Sequence, residues 1–99
     1  MTPDGVVPFD KWMNRLKDVR AEAKILTRLN RLALDLDGDW KSVGGGVFEL
    51  RISEGQGYRV YFAREGYSVV LLLCAGDKRS QQRDIQLAKR YWQDYRRQK

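Results

Sequence analysis

Along the chain the spacing of apolar residues changes twice. Phe9, Trp12, Met13 and Leu16 fall at i, i+3, i+4 and i+7, one apolar stripe of an amphipathic helix with Lys11, Arg15 and Lys17 turned away from it. A second stripe runs through Ile25, Leu26, Leu29, Leu32, Ala33 and Leu36. The break near Asp18-Val19-Arg20 predicts two helices joined so tightly that they fold back as an αα-hairpin. Asp37-Gly38-Asp39 is expected to end the second helix, with Gly38 in a left-handed cap. After Gly44-Gly45-Gly46 the period drops to two. Phe48, Leu50 and Ile52 alternate with Glu49, Arg51 and Ser53, then Tyr58, Val60 and Phe62 alternate with Arg59, Tyr61 and Ala63. Glu54-Gly55-Gln56-Gly57 is the turn between these two strands. Arg64-Glu65-Gly66 turns the chain into an apolar run over residues 69–74, expected to be a central strand covered on both faces. Gly76 breaks that strand, Ser80 suits a helix N-cap, and Ile85, Ala88, Trp92 and Tyr95 form the core stripe of a final helix.

These elements predict an α+β fold in one domain, residues 1–99: an N-terminal αα-hairpin packed on a small antiparallel sheet of three to four strands, with a C-terminal helix. Composition narrows the chemistry. The chain has one cysteine, Cys74, and no histidine. An internal disulfide, zinc sites built on His or several Cys, and Ser-His or Cys-His nucleophile pairs are therefore excluded. No metal and no cofactor are expected, and Cys74, inside the apolar run, reads as a small buried hydrophobe. Gly44-Gly45-Gly46 is followed by Val47 rather than the Gly-Lys-Ser/Thr of a phosphate-binding loop, so it reads as a conformational break. No run approaches the roughly 18–20 apolar residues of a membrane span, and no basic-then-apolar leader is visible. A cytoplasmic location without a membrane partner is expected.

The net charge is +6, unevenly placed. Residues 1–40 carry seven Lys/Arg and seven Asp/Glu; residues 77–99 carry eight and three. The sign points to an anionic partner. Strand alternation would set Glu49, Arg51, Arg59 and Tyr61 on one face, away from the helical hairpin. Pairing through the turn would make Arg51 and Arg59 neighbours, and like charges side by side on a sheet repel unless an anion lies between them. Two solvated arginines are the plainer alternative. Asp77-Lys78-Arg79-Ser80, ahead of a helix N-terminus, extends the basic surface. Arginine forks match phosphate oxygens, and Tyr61 and Tyr58 are candidates for base stacking. RNA carries its own nucleophile, the 2′-OH, so orientation and charge stabilisation by Arg51, Arg59 and Lys78 would suffice to cut it. Glu49 and Tyr61 are the candidates to take a proton. Arg79, Tyr61 and Arg83 are the expected RNA contacts.

Val43-Gly44-Gly45-Gly46-Val47-Phe48-Glu49-Leu50-Arg51-Ile52, Gly57-Tyr58-Arg59-Val60-Tyr61-Phe62 and Leu72-Leu73-Cys74-Ala75-Gly76-Asp77-Lys78 closely resemble the RelE/ParE toxin superfamily. The nearest branch is the HigB-like, phage Gp49-like group of addiction module killer proteins. The resemblance runs from about Phe9 to about Ala88. It implies a RelE-like fold and the toxin of a type II toxin–antitoxin module, a metal-independent, ribosome-dependent mRNA endonuclease that inhibits translation. Arg59 matches the arginine of the family's Gly-Tyr-Arg strand, Arg51 the basic residue of the preceding strand and Lys78 the one after the strand-ending glycine. The implied partners are the ribosome, mRNA and a cognate antitoxin, expected to be a DNA-binding helix-turn-helix repressor. Glu49 stands where some members carry a second lysine. The family's tyrosine early in the last helix is missing, its position lying close to Asp84. The family's N-terminal strand is represented by Val6-Val7 alone, a short edge strand at most. Two alternatives follow: a non-enzymatic, ParE-like inhibitor of DNA gyrase, and a basic RNA-binding module without toxicity.

Overall fold

Pro8 opens the first helix, α1 (Pro8–Arg15), where its missing N–H removes nothing a first turn needs. The computed structural model describes residues 8–36, 38–66 and 69–98; Val6, Val7 and Asp37 lie outside them. Asp18 caps α2 (Val19–Ala33), its Oδ1 accepting from the Ala21 N–H at 3.0 Å. α2 ends sooner than the apolar spacing suggested. The Leu36 N–H returns to the Arg31 carbonyl at 2.8 Å, and Asp35, not Gly38, takes the left-handed conformation (φ 62°). The buried face of α2 is Ala21, Ile25 and Leu32, with Leu29 beside them, whereas Leu26, Ala33 and Leu36 are exposed. Ile25 and Leu32 are buried almost completely, worth about 1.5–3 kcal/mol each.

Four strands follow: β1 (Trp40–Gly44), β2 (Val47–Ile52), β3 (Tyr58–Glu65) and β4 (Val69–Asp77), then α3 (Gln81–Arg97). They form one antiparallel sheet in the order β1-β2-β3-β4. β1 was not legible as a strand, and the triple glycine is the tip of its hairpin with β2. β4 is an edge strand among the described residues, not a central one. It is covered on both faces because α1 lies over one side and α3 over the other.

The sheet thus separates two cores. On one face α1 lies over β4 and α2 over β2, burying Phe9, Ile25, Leu32, Leu50, Ile52, Tyr58, Val60 and Phe62. On the other, α3 packs Ala88 and Trp92 against Val47, Tyr61, Ala63, Leu73 and Cys74, as the helical stripe predicted. A bulge in the β3–β4 ladder shifts register between Tyr61 (opposite Cys74) and Phe62 (opposite Leu72). Leu73 and Cys74 consequently both face α3, and the alternation beyond them is rephased.

Candidate functional site

Arg51 and Arg59 are directly opposite each other across β2 and β3, and Arg59 is opposite Gly76 of β4. The next row across the sheet is Lys41, Glu49, Tyr61 and Cys74. α3 crosses this face, so only part of it is open. Tyr61 is fully buried, and Tyr58 is buried on the other side, edge-on to Trp12 at 5.8 Å. The Tyr61 ring is not presented for base stacking, which corrects the role expected of it, whereas Tyr58, though buried, borders the depression described below.

The residue that organises the face is Glu49, which is fully buried. Its Oε2 accepts from the Tyr61 hydroxyl at 3.1 Å and the Gln81 Nε2 at 2.9 Å, and faces the Arg59 Nε at 3.6 Å. Its Oε1 accepts from the Arg51 Nε at 3.4 Å and lies 4.0 Å from the Lys41 Nζ. The anion that lets Arg51 and Arg59 stand side by side is therefore in part the protein's own. Burial, and after it the Glu49 charge and hydrogen bond, push the Tyr61 hydroxyl far above the usual tyrosine range. Tyr61 is thus a hydrogen-bond donor to Glu49, and both side chains are buried with that bond between them. The place of Glu49 on the Arg51 face was legible in the sequence, but its burial was not, because Gln81 and Tyr61 close over it.

Both arginines meet Glu49 through Nε. Among the described residues no hydrogen bond engages the terminal amino groups of either guanidinium. Arg51 is half exposed, whereas the Arg59 side chain is 13% exposed and its Nε, buried, makes no hydrogen bond. Beside them lies an open depression of about 410 Å³, lined by Arg51, Arg59 and Lys78 together with the β2–β3 turn. Glu54, in that turn, is the carboxylate lining it among the described residues. The three residues selected for phosphate chemistry are thus gathered at one place. Arg79 and Arg83 are not; they line a separate depression with Asp77 and Ser80.

The turn into α3 is tightly built. The Asp77 Oδ1 accepts from the N–H groups of Arg79 and Ser80, and the Ser80 hydroxyl donates to the Asp84 Oδ2 rather than capping the helix. Asp84 is buried against Gly76, where any Cβ would run into its Oδ2. Burial raises the Asp84 carboxyl above the usual range, against the lowering effect of the Ser80 hydrogen bond and Arg83. Cys74 donates to the Asp84 carbonyl, and burial pushes its thiol up to about 12. Among the described residues no group of three or more His, Cys, Asp or Glu side chains is gathered to hold a metal ion, and no helix is long and apolar enough to cross a membrane.

The family model described as phage derived protein Gp49-like (DUF891) matches residues 11–93. The chain belongs to this family. Gp49-like proteins are a toxin-like family related to RelE/ParE. An uncharacterized protein of Haemophilus influenzae (strain ATCC 51907 / DSM 11121 / KW20 / Rd) is 54% identical over 81 residues, 82% of this chain and 82% of that one. No solved structure matches the chain. The Gp49-like match spans the whole of β1 to β4, and so includes Arg51, Arg59, Lys78 and the turn that carries Glu54.

Proposed function

We propose that this Gp49-like protein is the toxin of a type II toxin–antitoxin module, of the HigB-like addiction module killer branch, and that it cuts mRNA on the ribosome. The observation that carries this reading is the pairing of Arg51 with Arg59 across β2 and β3, with Lys78 on the same depression. Two guanidiniums with unengaged terminal amino groups suit the two free oxygens of a phosphodiester. As the 2′-OH attacks, negative charge grows on those oxygens, and preset cations stabilise it more than they stabilise the ground state. With Tyr61 and Glu49 engaged with each other, Glu54 is the group in the depression placed to accept the 2′-OH proton. In this reading an antitoxin partner silences the toxin, and the ribosome positions the message.

The test is induced expression in bacteria of wild type, Lys78→Ala and Glu54→Gln, with mRNA ends mapped. Lys78 is exposed, so its removal is expected to leave the melting temperature within about 1 °C of wild type while relieving growth arrest. Arrest by wild type with new mRNA ends inside ribosome-bound codons is the expected result. A Lys78→Ala variant as toxic as wild type, with the same cuts, would refute it. A second reading, gyrase inhibition by binding alone, is favoured by one observation. Asp84, near the position of the family's helix tyrosine, is buried under Gly76 and takes no part in the depression. Filamentous cells with DNA damage and intact mRNA would establish that reading instead.

A further inference from the structure

The buried carboxylate of Glu49 sits where repulsion between two cations is greatest, and its contacts are not those of a simple neutraliser. It meets each arginine at Nε, at 3.4 Å for Arg51 and 3.6 Å for Arg59. That edge of the guanidinium is next to the aliphatic stem. The Arg51 Nε donates a hydrogen bond to the carboxylate, the buried Arg59 Nε lies beside it in an ion pair without one, and no hydrogen bond among the described residues engages the terminal amino groups. Glu49 is in turn fixed from β3 by the Tyr61 hydroxyl and from α3 by the Gln81 amide. Three elements therefore set the position of one carboxylate, and that carboxylate sets the direction of two arginines. An exposed arginine loses considerable rotamer freedom on binding; one already held loses less.

We propose that Glu49 is the positioning residue of the depression, presenting Arg51 and Arg59 as a preformed double fork to a phosphodiester. The phosphodiester rests on the function proposed above; the holding of the arginines does not. The proposal runs against simple electrostatics. Removing a buried negative charge raises the positive potential of the depression, so a site governed by charge alone would bind RNA more tightly after Glu49→Gln, with a steeper salt dependence. A site governed by position would bind it more weakly.

The experiment uses the full chain and the variants Glu49→Gln and Ile25→Val, below the melting temperature of each. Side-chain Nε–Hε resonances of Arg51 and Arg59 are recorded by NMR, and affinity for a short single-stranded RNA oligonucleotide is measured across salt concentrations. Wild type is expected to give two dispersed, slowly exchanging Nε–Hε signals. In Glu49→Gln they collapse to the position of mobile arginines, and RNA affinity falls by about tenfold or more. Ile25→Val, in the core on the opposite face of the sheet, loses about 0.5–1.5 kcal/mol of stability but leaves Glu49, Tyr61 and Gln81 intact, and is expected to retain both signals and RNA affinity within about threefold of wild type. Dispersed signals retained in Glu49→Gln, tighter RNA binding by that variant, or equal losses of binding in both variants would each overturn the proposal. If wild type binds no RNA while its Nε–Hε signals collapse on Glu49→Gln, the positioning role stands and the nucleic-acid reading fails.

Discussion

Tyr61 and Asp84 illustrate how differently two buried polar side chains bear on stability. The Tyr61 hydroxyl donates to Glu49 inside the α3 core, so Tyr61→Phe leaves a buried carboxylate short of one donor. The expected loss is about 1–3 kcal/mol in urea unfolding. Asp84 is the opposite case. Its folded pKa is raised by burial, so the fold favours its protonated form. That contribution is fully present below the unfolded carboxylate value of about 4 and is lost as pH rises through the folded value. At neutral pH the ionised side chain is a standing destabilisation. Asp84→Asn, which keeps an oxygen to accept from Ser80, is expected to melt higher than wild type at neutral pH, with the difference closing as pH falls towards about 3. A gap that widens on acidification would contradict the assignment. Gly76 completes the group. Gly76→Ala places a methyl against Asp84 and Ser80, and should displace the first turn of α3, loosening Gln81 from Glu49 and lowering stability by about 1–3 kcal/mol.

Among the elements, what was legible followed from periodicity. β2 and β3 carry clean alternation, so their pairing, the meeting of Arg51 with Arg59 and the apolar face of Phe48, Leu50, Val60 and Phe62 were all readable. β1 was not, because Trp40-Lys41-Ser42-Val43-Gly44 alternates weakly and gains its place through Trp40, edge-on to Phe48 at 5.3 Å. The apolar run of β4 hid its facing altogether: without alternation, nothing in the sequence located the bulge that turns Leu73 and Cys74 together towards α3. Glu49 was misjudged for a related reason. Its row on the sheet was clear, but burial of that row depends on where α3 crosses it. The β1–β2 hairpin offers a direct check. Gly46 has φ +84°, and a Cβ there would lie 2.8 Å from the Trp92 Nε1. Gly46→Ala combines strain with a clash, and is expected to lower stability by about 1–3 kcal/mol and to shift tryptophan fluorescence as Trp92 gives way.

At the scale of the molecule, the sheet divides labour between its faces. The face under α1 and α2 is almost wholly apolar and supports the fold. The other is apolar beneath α3 and charged beyond it, and the depression lies at the end of the sheet formed by the β2–β3 turn. Cys74, the sole cysteine, is buried beneath α3 with its thiol pushed up to about 12. Alkylation at neutral pH should therefore be slow and should follow the opening of α3. A labelling rate near that of a free thiol would mean that α3 is not held as described.

The dependence of Glu49 on Gln81 has a consequence for synthesis. Translation proceeds from the strands towards the helix, so Arg51 and Arg59 leave the ribosome before the residues of α3 that close over Glu49 and Tyr61. While the exit tunnel still shelters α3, the two arginines have been made but are not yet held in place. Under the proposed function, the strands emerging alone would carry both arginines without the helix that orders them, and the fork would be assembled only once α3 had followed them out of the tunnel.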